Sequence, residues 1–178
     1  MQEQRGASLI DATTARAVRR RAGLVWAVSV GAVLVDQGTK LWALRTLEPG
    51  VERPLVGDVI SLRLIRNPGA AFSMLEGTTY LVTGIAVLIV VRMMQVAHTR
   101  TLSPSMAWVF GLVVGGAVGN LLDRFLREPG VGRGHVVDFL DYFGLFVGNV
   151  ADVLIVGAAV VYAGLALRGL RLDGTRSA

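Results

Sequence analysis

Four apolar stretches, residues 22 to about 44, 78 to about 96, 106 to 122 and 147 to 167, dominate this chain. Each is close to the roughly 20 residues that a helix needs to cross a bilayer. Only helices and closed barrels satisfy every backbone N–H and C=O group in lipid, so four such runs constrain the chain to a small helical membrane protein. The hydrophobic content agrees: it is 53%, above the roughly 45 to 50% of a soluble domain. The first stretch stays uncharged only over residues 22 to 35, before Asp36 and Lys40, so its outer turns carry polar groups.

Charge gives the spans a direction. The amino-terminal segment, the connection between the second and third spans and the carboxy-terminal segment hold ten of the 18 basic residues but only Glu3, Asp11 and Asp173 among the 13 acids. The remaining segments hold eight basic residues and ten acids. Basic segments flanking spans stay in the cytoplasm, which puts both termini inside. Residues 31 to 40 offer no small-residue cleavage pattern, so the first helix reads as uncleaved. The expected organisation is a basic tail over 1–21, a membrane domain over 22–168 and a short tail over 169–178. A net charge of +5 does not point to nucleic acid, because the arginines cluster at the chain ends and in one loop rather than along a stripe. The absence of cysteine excludes disulfides, thiol nucleophiles and zinc thiolate sites.

With that topology, Asp36 ending span one, Asp123 ending span three, Asp152 opening span four and Asp138 in the preceding connection share one outer layer. A carboxylate at membrane depth costs roughly 2.5 to 3.5 kcal/mol, so such a cluster calls for a function. Asp138 and Asp152 form the sharpest pair. Two acids sharing one proton supply a base for water and an acid for a carbonyl oxygen together, which suits peptide hydrolysis without a metal. The competing reading has either Asp capping a helix or pairing with Arg124 or Arg133. Asp36 and Lys40, four residues apart, suit a structural ion pair. Asp123 suits the same, while the fork of Arg124 suits carbonyls of an extended peptide. Asn120 and Asn149 can align substrate or bridge helices, and Asn67 sits in the turn Asn67-Pro68-Gly69. Gly111, Gly115 and Gly119 line one helix face, a packing signal. A metal site lacks ligands, since the only histidines are His98 and His135, and nothing favours a Ser-Lys pair of Lys40 with Ser61 or Ser73.

The connection over 48–77 contains a half-alternating run at 59–66, a turn and a second apolar piece at 70–75, which predicts a small strand pair. Residues 124–146 are glycine-rich and then apolar, a loop or strand that dips back.

Five blocks occur in order: Val35-Asp36-Gln37-Gly38-Thr39-Lys40, Arg66-Asn67-Pro68-Gly69-Ala70-Ala71-Phe72, the run from Gly115 through Asn120, Asp123 and Arg124, Gly134-His135-Val136-Val137-Asp138-Phe139, and Asn149-Val150-Ala151-Asp152. Together they resemble the bacterial lipoprotein signal peptidases, the signal peptidase II family. The resemblance implies four transmembrane helices with a small extracytoplasmic β-cradle between helices 1 and 2. It implies an aspartyl endopeptidase, without cofactor, that removes signal peptides from prolipoproteins just before a diacylglyceryl-modified cysteine. By the same resemblance Asp138 and Asp152 are catalytic, and Asn67, Asn120, Asp123 and Arg124 support them. Lipid-modified prolipoproteins and membrane lipids are the implied partners, and no oligomer is implied. Two departures from the family pattern stand out: residues 125–134 form a longer segment than usual, which leaves Asp141 and then Asp123 as alternatives to Asp138, and Gly148 stands where an aromatic residue usually precedes the Asn. Two other functions would use the same acids differently. A proton-coupled transporter needs polar residues continuing into the inner half of the spans, which are not visible, and an assembly subunit would tolerate loss of both acids.

Overall fold

The computed structural model describes the backbone over residues 2–69 and 78–176, and side chains from residue 14 onward apart from Thr78. The chain runs α1 (Gln2–Thr46), β1 (Glu52–Val56), β2 (Ile60–Asn67), α2 (Thr78–Thr99), α3 (Pro104–Leu126), β3 (Val136–Tyr142), β4 (Phe146–Gly148) and α4 (Val150–Leu167). All four helices are long and apolar enough to cross a membrane.

Helix α3 is the centre of the bundle, and its glycines explain why. A Cβ at Gly111 would lie 2.5 Å from Val28 Cβ, one at Gly115 would press on Ala32 Cβ and sit 2.7 Å from Ser29 O, and one at Gly119 would strike the Asp36 carboxylate. The glycine face thus lets α1 pack backbone to backbone on α3, the close approach that small residues permit. The next residue round, Gly116, does the same for α4, where a Cβ would meet Ala151 O and Ile155 Cγ1 at 2.8 Å. Ser103 caps α3 by accepting from Met106 N, with Pro104 opening its first turn. Most of α2 and α4 is exposed, and what they expose is apolar, including Leu81, Leu88, Val156 and Val160. Such a surface suits lipid rather than water.

The strands form one antiparallel sheet in the order β1-β2-β3-β4. It is therefore built from two connections, half from between α1 and α2 and half from between α3 and α4, which widens the cradle expected between helices 1 and 2 alone. The run at 59–66 is a strand as expected, but its hairpin partner is the upstream β1, with Val56 opposite Ile60. The second apolar piece at 70–75 and Ser73 lie outside the described residues. The connection expected to be a loop or strand supplies β3, whose Asp138 pairs with Ile65 and whose Val136 pairs with Asn67. The face of β3 carrying Val137 and Phe139 packs with Leu64 on Ala43 of α1 and on Leu47 just past its end, fixing the sheet to the end of the bundle. Val147, expected to open the fourth span, is a strand residue, and the helix starts at Val150.

The long 125–134 segment is tied down at both ends. Thr83 of α2 donates to Gly132 O at 2.8 Å. Gly134 donates to Arg124 O at 3.0 Å, in a passage so tight that a Cβ there would meet Arg127 O at 2.7 Å. Register into β3 is thereby set from the end of α3. Helix α1 continues without a break from the basic segment through the first span, so residues 2–21 are helical rather than a separate tail structure.

Candidate active site

Where α1 and α3 end and α4 begins, a cavity of about 370 Å³ opens beneath the sheet. Its walls are apolar along the helices, with Val82, Ala86 and Ile89 from α2, Val113, Ala117 and Leu121 from α3 and Ile155 from α4. Its polar end brings together Asn67, Asn120, Arg124, Asp138, Asn149 and Asp152. These residues are spread over 86 positions of sequence, and both members of the acid pair are among them.

Asp138 reaches the cavity because period-two alternation along β3 puts Val136 and Asp138 on one face and the core residues Val137 and Phe139 on the other. It is buried, and each of its oxygens accepts an amide: Oδ2 from Asn67 Nδ2 at 2.7 Å and Oδ1 from Asn149 Nδ2 at 2.6 Å. Its carboxyl is raised from 3.8 to about 6 in all: burial is the largest cause, the Asn67 amide opposes it, the negative charge of Asp152 adds to it, and Asn149 and Lys40 oppose it. Asp152 is the third residue of α4. It forms a capping box with Asn149: Asn149 N donates to Asp152 Oδ2 at 3.0 Å and Asp152 N donates to Asn149 Oδ1 at 3.2 Å. Its other oxygen accepts from Asn120 Nδ2 at 3.1 Å. The capping reading thus holds for Asp152, yet capping leaves its carboxylate in the cavity wall. Asn149 contacts both acids at once, as the helix-capping residue and as the amide on Asp138.

Beneath the pair lies a buried polar floor. Lys40 Nζ touches three oxygens, Asp36 Oδ2 at 2.9 Å, Asp123 Oδ2 at 2.9 Å and Asn120 Oδ1 at 2.8 Å, one for each ammonium hydrogen. Asp123 also accepts from Arg127 Nε at 2.6 Å and from Val137 N at 3.1 Å, linking α3 to β3. Asp36 Oδ1 accepts from Ala151 N at 3.1 Å, in the first turn of α4. The structural ion pair expected for Asp36 and Lys40 is present, and Asp123 shares it. Gln37 escaped the sequence reading although it donates to Asp36 Oδ2 and Gly119 O, both at 3.0 Å. Its only signal was its place between Asp36 and Lys40.

Arg124 lines the cavity, and it also holds backbone. Its Nη1 donates to Gly134 O at 3.0 Å and Asn67 O at 3.3 Å, so its fork holds the protein's own backbone at the cavity mouth. Asp141, the alternative to Asp138, is fully buried on the opposite face of β3, with Arg63 Nε 2.8 Å from Oδ2. Those atoms sit at ion-pair distance but off hydrogen-bonding geometry, and Asp141 does not line the cavity. No cluster of three potential metal ligands occurs among the described residues.

Four lipid-length helices, a sheet closing one end and a carboxylate pair in an apolar-walled cavity are the frame of a membrane-embedded enzyme. The chain belongs to the signal peptidase (SPase) II family, whose model matches residues 28–168. Relatives that bear the name lipoprotein signal peptidase include those of two strains. That of Rhodococcus jostii (strain RHA1) is 51% identical over 150 residues, 84% of this chain and 75% of the relative. That of Mycobacterium avium (strain 104) is 43% identical over 154 residues, 86% and 84% respectively. The fold matches a bacterial membrane enzyme solved by the in meso method at 1.9 Å, with a TM-score of 0.72, 24% identity and coverage of 82% of this chain and 94% of that one. The protein is thus an aspartic peptidase and a multi-pass membrane protein.

Proposed function

We propose that this peptidase removes the signal peptide from prolipoproteins by cutting just before a diacylglyceryl-modified cysteine, with Asp138 and Asp152 activating water. The observation that carries the reading is the meeting of these two acids in one apolar-walled cavity, bridged by Asn149. The signal helix lies along the walls formed by α2, α3 and α4, and the scissile bond sits at the polar end. That end faces the outer leaflet, with both termini in the cytoplasm, a reading that the distribution of charged residues supports. A lipid-modified substrate keeps its acyl chains in that leaflet, so the cut and the acids meet at the same depth.

The ionised member of the pair takes a proton from water while the oxygen of that water attacks the scissile carbonyl carbon. The protonated member gives its proton to the carbonyl oxygen. Collapse of the tetrahedral intermediate breaks the C–N bond and delivers a proton to the leaving amine, which restores one shared proton on the dyad. Asp138, held up at about 6, is the partner that carries the proton most readily. Asn67, Asn120 and Asn149 fix where the carboxyl oxygens point.

Detergent-purified protein and a lipid-modified precursor test this directly. Asp138→Asn and Asp152→Asn should each lower cleavage by about 10⁴-fold or more while both variants still fold. Asp141→Asn, on the other face of β3, should keep cleaving. Cleavage by the Asp138 and Asp152 variants at more than a tenth of the wild-type rate would overturn the dyad.

A further inference from the structure

Helices wall one side of the acid pair, but an aromatic ring stands on the other. In β4, Phe146 and Gly148 project to the same face, with Phe146 opposite Tyr142 and Gly148 opposite Leu140. The Phe146 and Tyr142 rings stack, with centroids 6.2 Å apart and planes 19° apart. A Cβ placed on Gly148 would lie 2.8 Å from Phe146 Cε1 and 2.8 Å from Asp152 Oδ2. Ring edge and carboxylate therefore flank one point and are no more than 5.6 Å apart, twice 2.8 Å. Glycine at 148 is what lets the ring lean in this far. The phenol of Tyr142 feels the same carboxylate, since burial and the charge of Asp152 both raise it above its usual value.

The ring is nevertheless open. Phe146 lines the cavity and is 55% exposed. A stacked aromatic that is held in place, borders a reactive carboxylate and keeps half of its surface free is a preformed contact for a bound chain. Its position also has a direction. If the signal helix fills the apolar walls, as proposed above, a chain passing the acids leaves over the sheet. Consecutive Cα atoms are about 3.8 Å apart, so a ring within 5.6 Å of Asp152 reaches the first or second residue beyond the cut.

We infer that Phe146, propped by Tyr142 and admitted by Gly148, is a substrate-contact residue that binds the segment on the carboxyl side of the scissile bond. The inference rests on the prolipoprotein-peptidase reading and adds a subsite to it. Phe146 contributes to binding of substrate and transition state alike, so its removal moves KM rather than kcat. The loss of an aromatic contact corresponds to about three- to tenfold in affinity.

The test is steady-state cleavage of a lipid-modified precursor by wild-type protein, Phe146→Ala, Phe146→Leu and Phe146→Tyr in detergent, with thermal unfolding measured on each. The expected result is a KM raised about three- to tenfold in Phe146→Ala, with kcat within about twofold of wild type. Phe146→Leu should fall between, and Phe146→Tyr should restore the wild-type KM. A KM within twofold of wild type in Phe146→Ala overturns the inference, because a ring that only touches lipid leaves KM in detergent unmoved. A loss confined to kcat, or one that tracks unfolding temperature in Phe146→Leu as well, also overturns it by making Phe146 structural. These outcomes leave the peptidase reading intact as long as wild type cleaves; a wild type that does not cleave removes both.

Discussion

Lys40 is the residue whose loss should cost the most stability without touching substrate. It is fully buried in α1, four residues from Asp36, and its ammonium group meets Asp36, Asp123 and Asn120 at 2.8 to 2.9 Å. Lys40→Met keeps much of the side-chain volume and removes the charge. Asp36, fully buried, and Asp123, 1% exposed, then face each other with Arg127, a quarter exposed, still paired to Asp123 and Arg124 acting on it at longer range. Breaking a buried ion pair by deleting one partner costs about 3 to 5 kcal/mol. At about 2 to 4 °C per kcal/mol for a chain of this size, the unfolding temperature in detergent should fall by roughly 6 to 20 °C.

The same physics predicts a rescue. A buried ionic set replaced as a whole by uncharged groups is often close to neutral in stability. Lys40→Met combined with Asp36→Asn and Asp123→Asn should therefore recover at least half of the lost temperature. Cleavage should not recover with it, because Asn120 Oδ1 keeps only Asn149 of its two donors and loses the shorter contact, to Lys40, that steadies the amide it turns toward Asp152. Thermal unfolding and precursor cleavage, measured on the single and triple variants, separate the two effects. A single variant that loses less than about 3 °C, or a triple variant no more stable than the single one, would refute the argument that charge compensation holds this floor together.

The remaining predictions concern protons and space. If Asp138 donates its proton to the carbonyl, kcat/KM falls as pH rises through about 6, where the acid empties. Asn67 donates to Asp138 Oδ2 and holds its carboxyl lower than burial alone would, so Asn67→Ala should move this alkaline limb to higher pH, and an unmoved limb in a pH–rate profile would count against Asp138 as the donor. Because the folded protein raises Asp138 from 3.8 to about 6, the stability this gives is full below about 3.8 and is lost as pH rises through about 6; Asp138→Asn should flatten that part of an unfolding-temperature curve. Gly119→Ala places a methyl against the Asp36 carboxylate, and overpacking of this kind costs about 1 to 3 kcal/mol, visible as a lowered unfolding temperature.

How much of this was readable from sequence follows from which contacts are local. The spans were legible because lipid imposes a length, and the convergence of Asp36, Asp123, Asp138 and Asp152 followed from counting crossings. The sheet was only half legible. β1 reads Glu-Arg-Pro-Leu-Val with every residue exposed, so it lacks the alternation that marks a strand. β3 is buried along nearly its whole length and reads as an apolar run, and its partner β2 lies about 70 residues upstream, beyond any local signal. The backbone partners of Arg124 were hidden for a related reason. A guanidinium fork matches any carbonyl, and nothing in the sequence says that Gly134 O and Asn67 O are the ones within reach.

The polar floor was hardest to see as a unit because it is the continuation of a packing seam. Buried positions step through Ala22, Val25, Ser29, Ala32, Asp36, Lys40 and Ala43 on α1 to Leu47 just past its end, at spacings of three or four that persist where the residues turn from apolar to charged. The glycines of α3 meet this seam in the same rhythm, Gly111 against Val28, Gly115 against Ala32 and Gly119 against Asp36. One helix pair therefore does two jobs along its length. Toward one end it packs methyl groups on glycines, and toward the other the same close approach leaves room for a carboxylate where a Cβ would have stood. The charges under the acid pair are thus core residues, placed by helix packing with the regularity of a hydrophobic stripe. That is why Asn120 and the first turn of α4 are held from below by Lys40 and Asp36, side chains that do not line the cavity.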